Sequence, residues 1–231
     1  MGEPPSDRVR VRRLPARGAY DRATIDAILD EAPICHLGLV EAGQPFVIPT
    51  IHARAGDVVY LHGSSASRAM RRAGEGTSVC VTATLLDGLV LARSAFHHTM
   101  NYRSVVLLGR ARPVVDHDEK LSALRSISEH VLPGRWDEVR PPNEVEMKAT
   151  SVVALAIDEA SAKLRSGGPL DDADDLALAC WAGVLPLRLV AGAPIPSNDL
   201  AQGIDFSPAV ERDRRFDARV ASPATRRDRD R

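Results

Sequence analysis

Short runs rich in β-branched residues, separated by tight turns, are the feature that most limits what this chain can fold into. Three such runs follow one another early in the sequence: Ile34–Glu41, Pro45–Arg54 and Val58–His62. The turns between them, at residues 41–44 and 55–57, each contain a glycine. Connections this short can join only antiparallel strands, because parallel strands need a crossover of a dozen or more residues. The pattern therefore predicts consecutive β-hairpins.

Further strands are predicted along the chain, with only a few helices between them. The strands fit Ser78–Leu85, Gly88–Ala92, Ser104–Val115, Ser151–Ile157 and Gly183–Val190. The helices fit an apolar stripe that ends before Pro33, a short stretch near Ser67–Ala73, a run from Asp116 through Leu132, and a shorter one that starts at Asn143. No GxGxxG motif follows the first strand. The sequence therefore predicts a mainly β, α+β fold, an antiparallel barrel with a few peripheral helices, and not a Rossmann sheet.

Composition divides the chain into three zones. Residues 1–19 are rich in Arg and Pro and show no hydrophobic period, which predicts a loose N-terminal arm. Residues 20–199 contain the predicted strands and helices and form one domain. From residue 200 to residue 231 the apolar content falls and mixtures of Arg and Asp take over. Such a segment buries too little apolar surface to offset its ordering entropy, so we predict a disordered tail.

Charge and cysteine usage exclude several function classes. The chain has 30 Lys and Arg against 31 Asp and Glu, a net charge of -1, which argues against binding of nucleic acid through a basic face. No apolar run is as long as a membrane span, and the first thirteen residues are charged where a signal peptide would be apolar. The 3 cysteines are widely spaced and form no CxxC pair. We therefore expect a cytoplasmic protein with no membrane partner and no structural zinc.

A serine-rich stretch between a strand and a helix is the most informative local motif. Ser64, Ser65 and Ser67 precede Arg68, where a helix is predicted to begin. Free backbone N–H groups, hydroxyls and a guanidinium together favour an anion such as a phosphate. The stretch lacks the GK[ST] ending of a Walker loop. The alternative is an ordinary serine N-cap followed by a solvated basic helix face, and the sequence leaves both open.

A second polar cluster lies at Arg103 and Ser104, where polar residues enter an apolar strand with no local group to satisfy them. They either meet a ligand or another subunit, or they cap a barrel end. Adjacent His97 and His98 would point to opposite faces of a strand, so they do not form a metal pair, and no metal site is expected. No GxSxG nucleophile motif is present. A predicted anion site without recognisable catalytic residues favours chemistry performed by a phosphorylated cofactor.

Several motifs in order resemble the pyridoxamine 5′-phosphate oxidase-like flavoproteins, closest to their flavin-nucleotide-binding, nitroimidazole-resistance-like branch. The resemblance covers about residues 20–190 and rests on Gly43-Gln44-Pro45-Phe46, Tyr60-Leu61-His62, Ser67-Arg68, Arg103-Ser104-Val105 with Gly109, and Trp181-Ala182-Gly183. It implies an FMN-binding split β-barrel that forms a homodimer with two flavins at the interface. A small barrel is filled by its own side chains, so an external cofactor covered by a partner is physically reasonable.

The resemblance also implies residue roles. The backbone along the isoalloxazine ring would belong to Ile48, Pro49, Thr50 and Ile51. Leu61 and His62 would border the ribityl chain and ring, with His62 as a candidate proton donor, and Ser67 and Arg68, with Ser64 beside them, would hold the phosphate. Ser104 and Trp181 match further flavin-contacting positions, with Arg103 adjacent, completed from the other subunit.

The chain departs from the true oxidases at their substrate-binding positions. Ala69 stands where they carry a lysine after the Ser-Arg pair, and Ala53 replaces their substrate-phosphate lysine. Their C-terminal Arg-x-His-x-Arg signature has no counterpart after Trp181. We therefore expect an FMN-dependent oxidoreductase acting on an unidentified small molecule other than a B6 vitamer. The alternatives are a deazaflavin-dependent reductase of the same fold, a flavin-sequestering protein without turnover, and an interaction module that uses the Arg/Asp tail.

Overall fold

The computed structural model of the protein describes residues 2–213, and two antiparallel sheets form its centre. The larger sheet has seven strands: β1 (Gly18–Ala19), β2 (Cys35–Glu41), β3 (Gln44–Thr50), β6 (Ser78–Leu91), β7 (Thr99–Arg110), β10 (Glu159–Arg165) and β11 (Gly183–Pro186). The smaller sheet has four: β4 (His52–Ala55), β5 (Val58–Ser64), β8 (Arg112–Pro113) and β9 (Thr150–Ala156). The strand order is β1-β10-β7-β6-β2-β3, with β11 paired to β6, in the larger sheet and β4-β5-β9-β8 in the smaller.

The main hydrophobic core lies between the two sheets, and a smaller apolar cluster lies between the smaller sheet and α3. Leu37, Val81 and Leu107 enter the main core from the larger sheet, and Leu61 and Leu155 enter it from the smaller sheet. All five are at most 1% exposed. The alternation of buried and accessible residues along β2 and β5 shows why the sequence folds this way, since each strand gives one face to the core. The predicted mainly β fold, in the manner of a split barrel, is confirmed.

Short helices close the ends and one side of the sheets: α1 (Arg22–Glu31), α2 (Arg68–Gly74), α3 (His117–Val131), α4 (Glu144–Ala149) and α5 (Pro208–Arg212). The helices predicted from the sequence are confirmed as α1 to α4. Both halves of the capping box that starts α4 are present, but at α3 only one half forms. There Asp116 accepts a bond from the N–H of Glu119, whose carboxylate instead binds Tyr60 and Arg112. None of the helices among residues 2–213 is long and apolar enough to cross a membrane.

Several strand predictions differ from the structure. The predicted strand Ser104–Val115 is β7, which begins at Thr99, followed by β8 in the other sheet, and the predicted strand Gly183–Val190 ends at Pro186. The run Pro45–Arg54 is two strands, β3 and β4, because the chain leaves one sheet for the other at Ile51. The two residues between the predicted strands Ser78–Leu85 and Gly88–Ala92 do not end a strand: Asp87 is a bulge inside β6, since β7 pairs with β6 on both sides of it. Strand β10 was missed because its sequence, rich in Ala and charge, has few β-branched residues.

The predicted loose arm is wrong for residues 2–19. Val9 and Ala19 are buried, the Val11 N–H donates to the Tyr20 hydroxyl at 2.8 Å, and β1 pairs with β10. This segment has no hydrophobic period, but burial of a few apolar residues and the pairing of two strand residues hold it against the domain.

The predicted disordered tail is ordered at its beginning. Residues 200–213 include α5, and Glu138 accepts bonds from the Ser207 hydroxyl and the Ala209 N–H. Ala209 is 1% exposed. The remainder of the predicted tail, residues 214–231, lies outside the described residues.

Candidate functional site

Strand β3 forms an open edge of the larger sheet, because among the described strands it pairs with β2 alone. The hairpin turn is Ala42-Gly43, and both residues have positive φ (49° and 79°), as a two-residue hairpin turn of type I′ requires. The bond that closes such a turn joins the Glu41 carbonyl to the Gln44 N–H. Backbone groups then face the partner strand at every second residue. Phe46 and Ile48 therefore bond towards β2.

The residues that face the open edge are Pro45, Val47 and Pro49. Proline has no N–H to donate. Within the described strand β3, Val47 thus carries the only backbone N–H on that edge, flanked by three carbonyls. Its side chain is 68% exposed. The edge can therefore offer one donor and several acceptors to a planar polar ligand.

The residues predicted to contact a flavin ring, 48–51, lie along this edge and continue beyond its end. Pro49 is exposed, and Ile48, Thr50 and Ile51 are half-buried where the chain passes between the two sheets. His52 pairs with Leu61 in the β4–β5 ladder, so extending the register by one place puts Ile51 beside His62. The structure thus brings these predicted residues together. Leu61 is an exception, because its side chain is fully buried in the core and only its backbone is available.

His62 is a half-buried histidine without a hydrogen-bond partner. Its Nδ1 is enclosed by protein, and no residue among 2–213 bonds to it. Burial lowers the pKa of the His62 imidazole. The ring is therefore neutral at neutral pH, with a lone pair free on one nitrogen.

The serine loop (residues 64–67) leads from β5 into α2. The Ser67 hydroxyl caps the helix by accepting from the Met70 N–H at 3.5 Å, and the Ser64 hydroxyl accepts from the Ala66 N–H at 3.2 Å. Because the cap already satisfies one helical N–H and α2 has only seven residues, the helix end alone makes no anion site. The predicted phosphate contact stays a prediction that depends on the loop hydroxyls and Arg68.

Arg68 joins the serine loop to the β2–β3 hairpin. Its Nε lies 3.0 Å from the Glu41 carboxylate, and its guanidinium lies over the Phe46 ring. More than half of the Arg68 side chain is exposed. The cation is thus held near the open edge of β3 while part of its surface remains accessible.

Arg103 and Ser104 have no partner close in the sequence, as expected, but distant segments of the same chain satisfy them, so neither needs a ligand or another subunit as a hydrogen-bond partner. Arg103 bonds to Glu31 at 2.5 and 2.9 Å and to Asp87 at 2.8 Å, and these carboxylates raise the pKa of its guanidinium. The Ser104 hydroxyl donates to the Lys163 carbonyl at 3.2 Å. The partners come from the end of α1 and from the β6 bulge, which the local sequence could not indicate. In the described structure Arg103 therefore joins α1 to the larger sheet.

Trp181 lies in the extended segment that precedes β11, and its side chain is 67% exposed. A Cβ on Gly183 would lie 2.9 Å from the indole, so the ring packs directly on that glycine. The segment is fixed upstream by Asp171, which accepts bonds from Arg93, and by Asp172, which meets His97 at 3.1 Å. The described residues contain no group of three or more His, Cys, Asp or Glu that could hold a metal ion.

Two clefts were not anticipated from the sequence. One, of about 1090 Å³, lies between α1 and α3 and is lined by charged residues of both signs and by His130. The other, of about 450 Å³, lies beside α2 and is lined by Arg71, Lys120 and Lys148. These cations belong to three different helices, so no local motif could have indicated their proximity.

Comparison with known proteins places this geometry in context. The profile of one family, described as pyridoxamine 5′-phosphate oxidase, matches residues 21–164. The flavocytochrome Anf3 from Azotobacter vinelandii is 43% identical over 91% of this chain and 98% of its own, with a TM-score of 0.85. An FAD and heme binding protein from Mycobacterium smegmatis is 38% identical over 84% of this chain and 96% of its own, with a TM-score of 0.81.

A more distant structure shares only the fold. A protein described as a 5-nitroimidazole antibiotic resistance protein, from Bacteroides thetaiotaomicron, is 22% identical over 63% of this chain and 85% of its own, with a TM-score of 0.51. No curated protein matches the sequence.

Proposed function

Because the chain belongs to the pyridoxamine 5′-phosphate oxidase family, we propose that it is a flavocytochrome, an oxidoreductase that binds both a flavin and a haem. The observation that carries this proposal is the identity of 43% with a flavocytochrome over 91% of the chain. The second relative, at 38%, binds FAD and heme. The substrate is proposed to be a small molecule or electron acceptor other than a B6 vitamer, because Ala53 and Ala69 replace the oxidases' lysines.

The open edge of β3 supports the flavin part of the proposal. An isoalloxazine ring is flat and has alternating acceptors and one donor along its polar side. The Val47 N–H can donate to one acceptor of the ring, a carbonyl of the edge can accept from the ring's N–H, and Ile48 and Ile51 offer apolar surface beside it. Arg68 and the hydroxyls of Ser64 and Ser67 would neutralise and bond the phosphate. The proposed flavin is FMN, with FAD as the competing nucleotide because a relative binds FAD, and a deazaflavin as a further alternative.

A haem ligand needs an imidazole nitrogen with a free lone pair. Among the described residues, the Nδ1 atoms of His52 and His62 are buried and have no hydrogen-bond partner. His52 is completely buried and its Nε2 meets the Leu29 carbonyl, whereas His62 is half-buried at the end of β5, beside Ile51. His62 therefore fits the group and would hold the iron. A bound haem would supply one-electron chemistry.

The same observations bear on the alternative role of His62 as a proton donor. Burial lowers its pKa, so the ring carries no extra proton to give at neutral pH. A neutral imidazole is instead the form that binds a metal. The environment of His62 therefore favours ligation over general-acid catalysis.

We further propose that the protein is a homodimer with the flavin at its interface. Large apolar side chains are exposed on the larger sheet, at Val40 (55%) and Val47 (68%), and on the C-terminal segment, at Leu176 (60%) and Trp181 (67%). Large apolar side chains exposed to this extent are often covered by a partner, which supports the proposal. A second copy that covered it would also enclose a ligand lying on the edge of β3.

The spectrum of the purified protein tests the proposal. Flavin bands and a Soret band in one dimeric species, with the flavin identified by mass after extraction, are the expected result. A protein that stays colourless after incubation with FMN, FAD and hemin would refute it. The sequestering alternative predicts a reduced flavin whose reoxidation no nitro, quinone or imine acceptor accelerates.

A further inference from the structure

A basic cleft lies beside the serine loop and is lined by Arg71, Lys120 and Lys148. Its volume of about 450 Å³ is within the range of roughly 300–1,000 Å³ that small-molecule sites occupy. Arg71 belongs to α2, Lys120 to α3 and Lys148 to α4. Three separate helices thus bring positive charges to one concave surface.

These three charges are not neutralised within the part of the chain that the structure describes. No carboxylate among residues 2–213 forms an ion pair with any of them. Lys120 donates to the Met147 carbonyl at 2.7 Å, and Arg71 donates to the Ala66 carbonyl at 2.6 Å. The single carboxylate of the cleft's described lining, Glu75, is already paired with Arg72 at 2.5 Å. The cleft therefore carries a net positive charge.

The usual preference for cations near a helix C-terminus, here that of α4, explains only part of this cluster of positive charges. Lysines near a helix C-terminus stabilise its dipole, which accounts for Lys120 and Lys148. It does not account for Arg71, which belongs to a different helix. Nor does it account for Ser151, which lines the same cleft. Cations and hydroxyls together are typical of a phosphate site.

The cleft shares a wall with the serine loop. The Ser65 N–H donates to the Ala149 carbonyl at 2.8 Å, and Ser64 pairs with Thr150 in the β5–β9 ladder. Arg71 contacts both sides, because it lines the cleft while its guanidinium bonds the loop carbonyl of Ala66. A phosphoryl group in the cleft would thus lie next to the loop.

We propose that the basic cleft binds a phosphoryl group in addition to the one assigned to Arg68. Two sources share this chemistry: the second phosphate of a flavin dinucleotide, which rests on the proposed function, and a free phosphorylated small molecule, which does not. Arg71, Lys120 and Lys148 supply the charge, and Ser151 supplies a hydroxyl donor.

Titration of inorganic pyrophosphate by calorimetry tests the site, using full-length protein with and without bound flavin. The variant is Lys120→Gln/Lys148→Gln, and the control is Lys163→Gln on β10. In the flavin-free arm every protein also carries Arg68→Ala, which removes the other proposed phosphate site. The wild-type cleft and the control should then bind one pyrophosphate per chain, and the double variant at least tenfold more weakly. Because this arm needs no flavin, it is informative even if the protein proves not to bind one.

The flavin-loaded protein then identifies the source. If it still binds pyrophosphate, and the double variant does not, the ligand is a free phosphorylated molecule. If loading blocks pyrophosphate, and the double variant weakens FAD at least tenfold while FMN is unchanged, the ligand is the dinucleotide's second phosphate. Equal pyrophosphate binding by wild type and double variant, or none by either, would overturn the proposal and leave the lysines as helix-end charges only.

Discussion

The guanidinium of Arg68 lies 4.3 Å from the centre of the Phe46 ring, and this contact holds a cation from α2 against the hairpin that carries the open edge. Glu41, from the same hairpin, fixes the other side of the guanidinium. The serine loop and the strand proposed to recognise a flavin are thus fastened to each other by one side chain.

Replacing Arg68 should weaken flavin binding. A charge-assisted hydrogen bond contributes roughly 1.5–3 kcal/mol, so Arg68→Ala is expected to raise the flavin Kd by about 10- to 150-fold. Fluorescence titration of the apoprotein measures this. Arg110→Ala removes an exposed arginine that bonds only the Gly76 carbonyl, and it serves as the control. An unchanged Kd in Arg68→Ala would show that the phosphate lies elsewhere.

A proline at position 47 should weaken flavin binding and leave the sheet intact. Val47→Pro removes the edge N–H without breaking a ladder bond, as Pro45 and Pro49 already do. Loss of one neutral hydrogen bond, about 0.5–1.5 kcal/mol, corresponds to a two- to tenfold rise in Kd. Ile48→Pro is the contrasting variant, since its N–H faces β2 and its loss should lower the melting temperature. Equal destabilisation by the two prolines would contradict the assigned register.

His62→Ala should abolish the Soret band while the flavin bands remain. The imidazole has an enclosed nitrogen without a partner, and alanine cannot ligate iron. His36→Ala, which alters an exposed histidine of β2, is the control and should keep both chromophores. Electron paramagnetic resonance of the oxidised protein would report the change in iron ligation. Retention of haem with an unaltered spectrum in His62→Ala would exclude this histidine as the ligand.

Protein stability should fall as the pH is lowered from about 6.5 towards 4, in part because of His52. Burial, followed by the nearby His130, lowers the pKa of His52 to about 4. In this window the unfolded chain takes up a proton at His52 and the folded protein does not, so acidification favours unfolding. The full effect is at most roughly 3 kcal/mol.

Urea denaturation at several pH values measures this dependence. In His52→Gln the free energy of unfolding should be lower at pH 7 but should vary less between pH 6.5 and 4. The exposed His36→Gln should keep the slope of the wild type. A slope in His52→Gln as steep as that of the wild type would assign the acid sensitivity to other groups.

Gly109→Ala should destabilise the core. A Cβ at this position would lie 2.7 Å from a methyl carbon of Leu155, which is 1% exposed and cannot move freely. Overpacking of this kind costs about 1–3 kcal/mol, measured as a lower free energy of unfolding. Gly192→Ala, where a Cβ meets no atom within 4 Å, should change it little. Similar values for both variants would indicate that the core relaxes around the added methyl group.

Local sequence patterns predicted the local structure, but they did not predict the contacts between distant segments. The capping box of α4 and the end of α1 before Pro33 depend on neighbouring residues and were predictable. The partners of Arg103 were not, because Glu31 lies 72 residues away and meets it only after the sheet forms.

The candidate site likewise has a part that the local sequence predicted and a part that it did not. Ser64, Ser67 and Arg68 are visible as one motif, and the structure places them together. Pro45 and Pro49 can also be read from the sequence, but which edge of the strand they face depends on the register of the hairpin. The basic cleft combines three helices, so its existence follows from tertiary packing alone.

The prolines of β3 also govern how copies of this chain can meet. An exposed strand edge ordinarily acts as a template on which a foreign strand adds itself, and such growth has no natural end. Here Pro45 and Pro49 leave a single N–H between them, too few to start a ladder. Backbone pairing with a foreign strand along this edge is therefore disfavoured, and any partner that meets it must be recognised mainly through side chains.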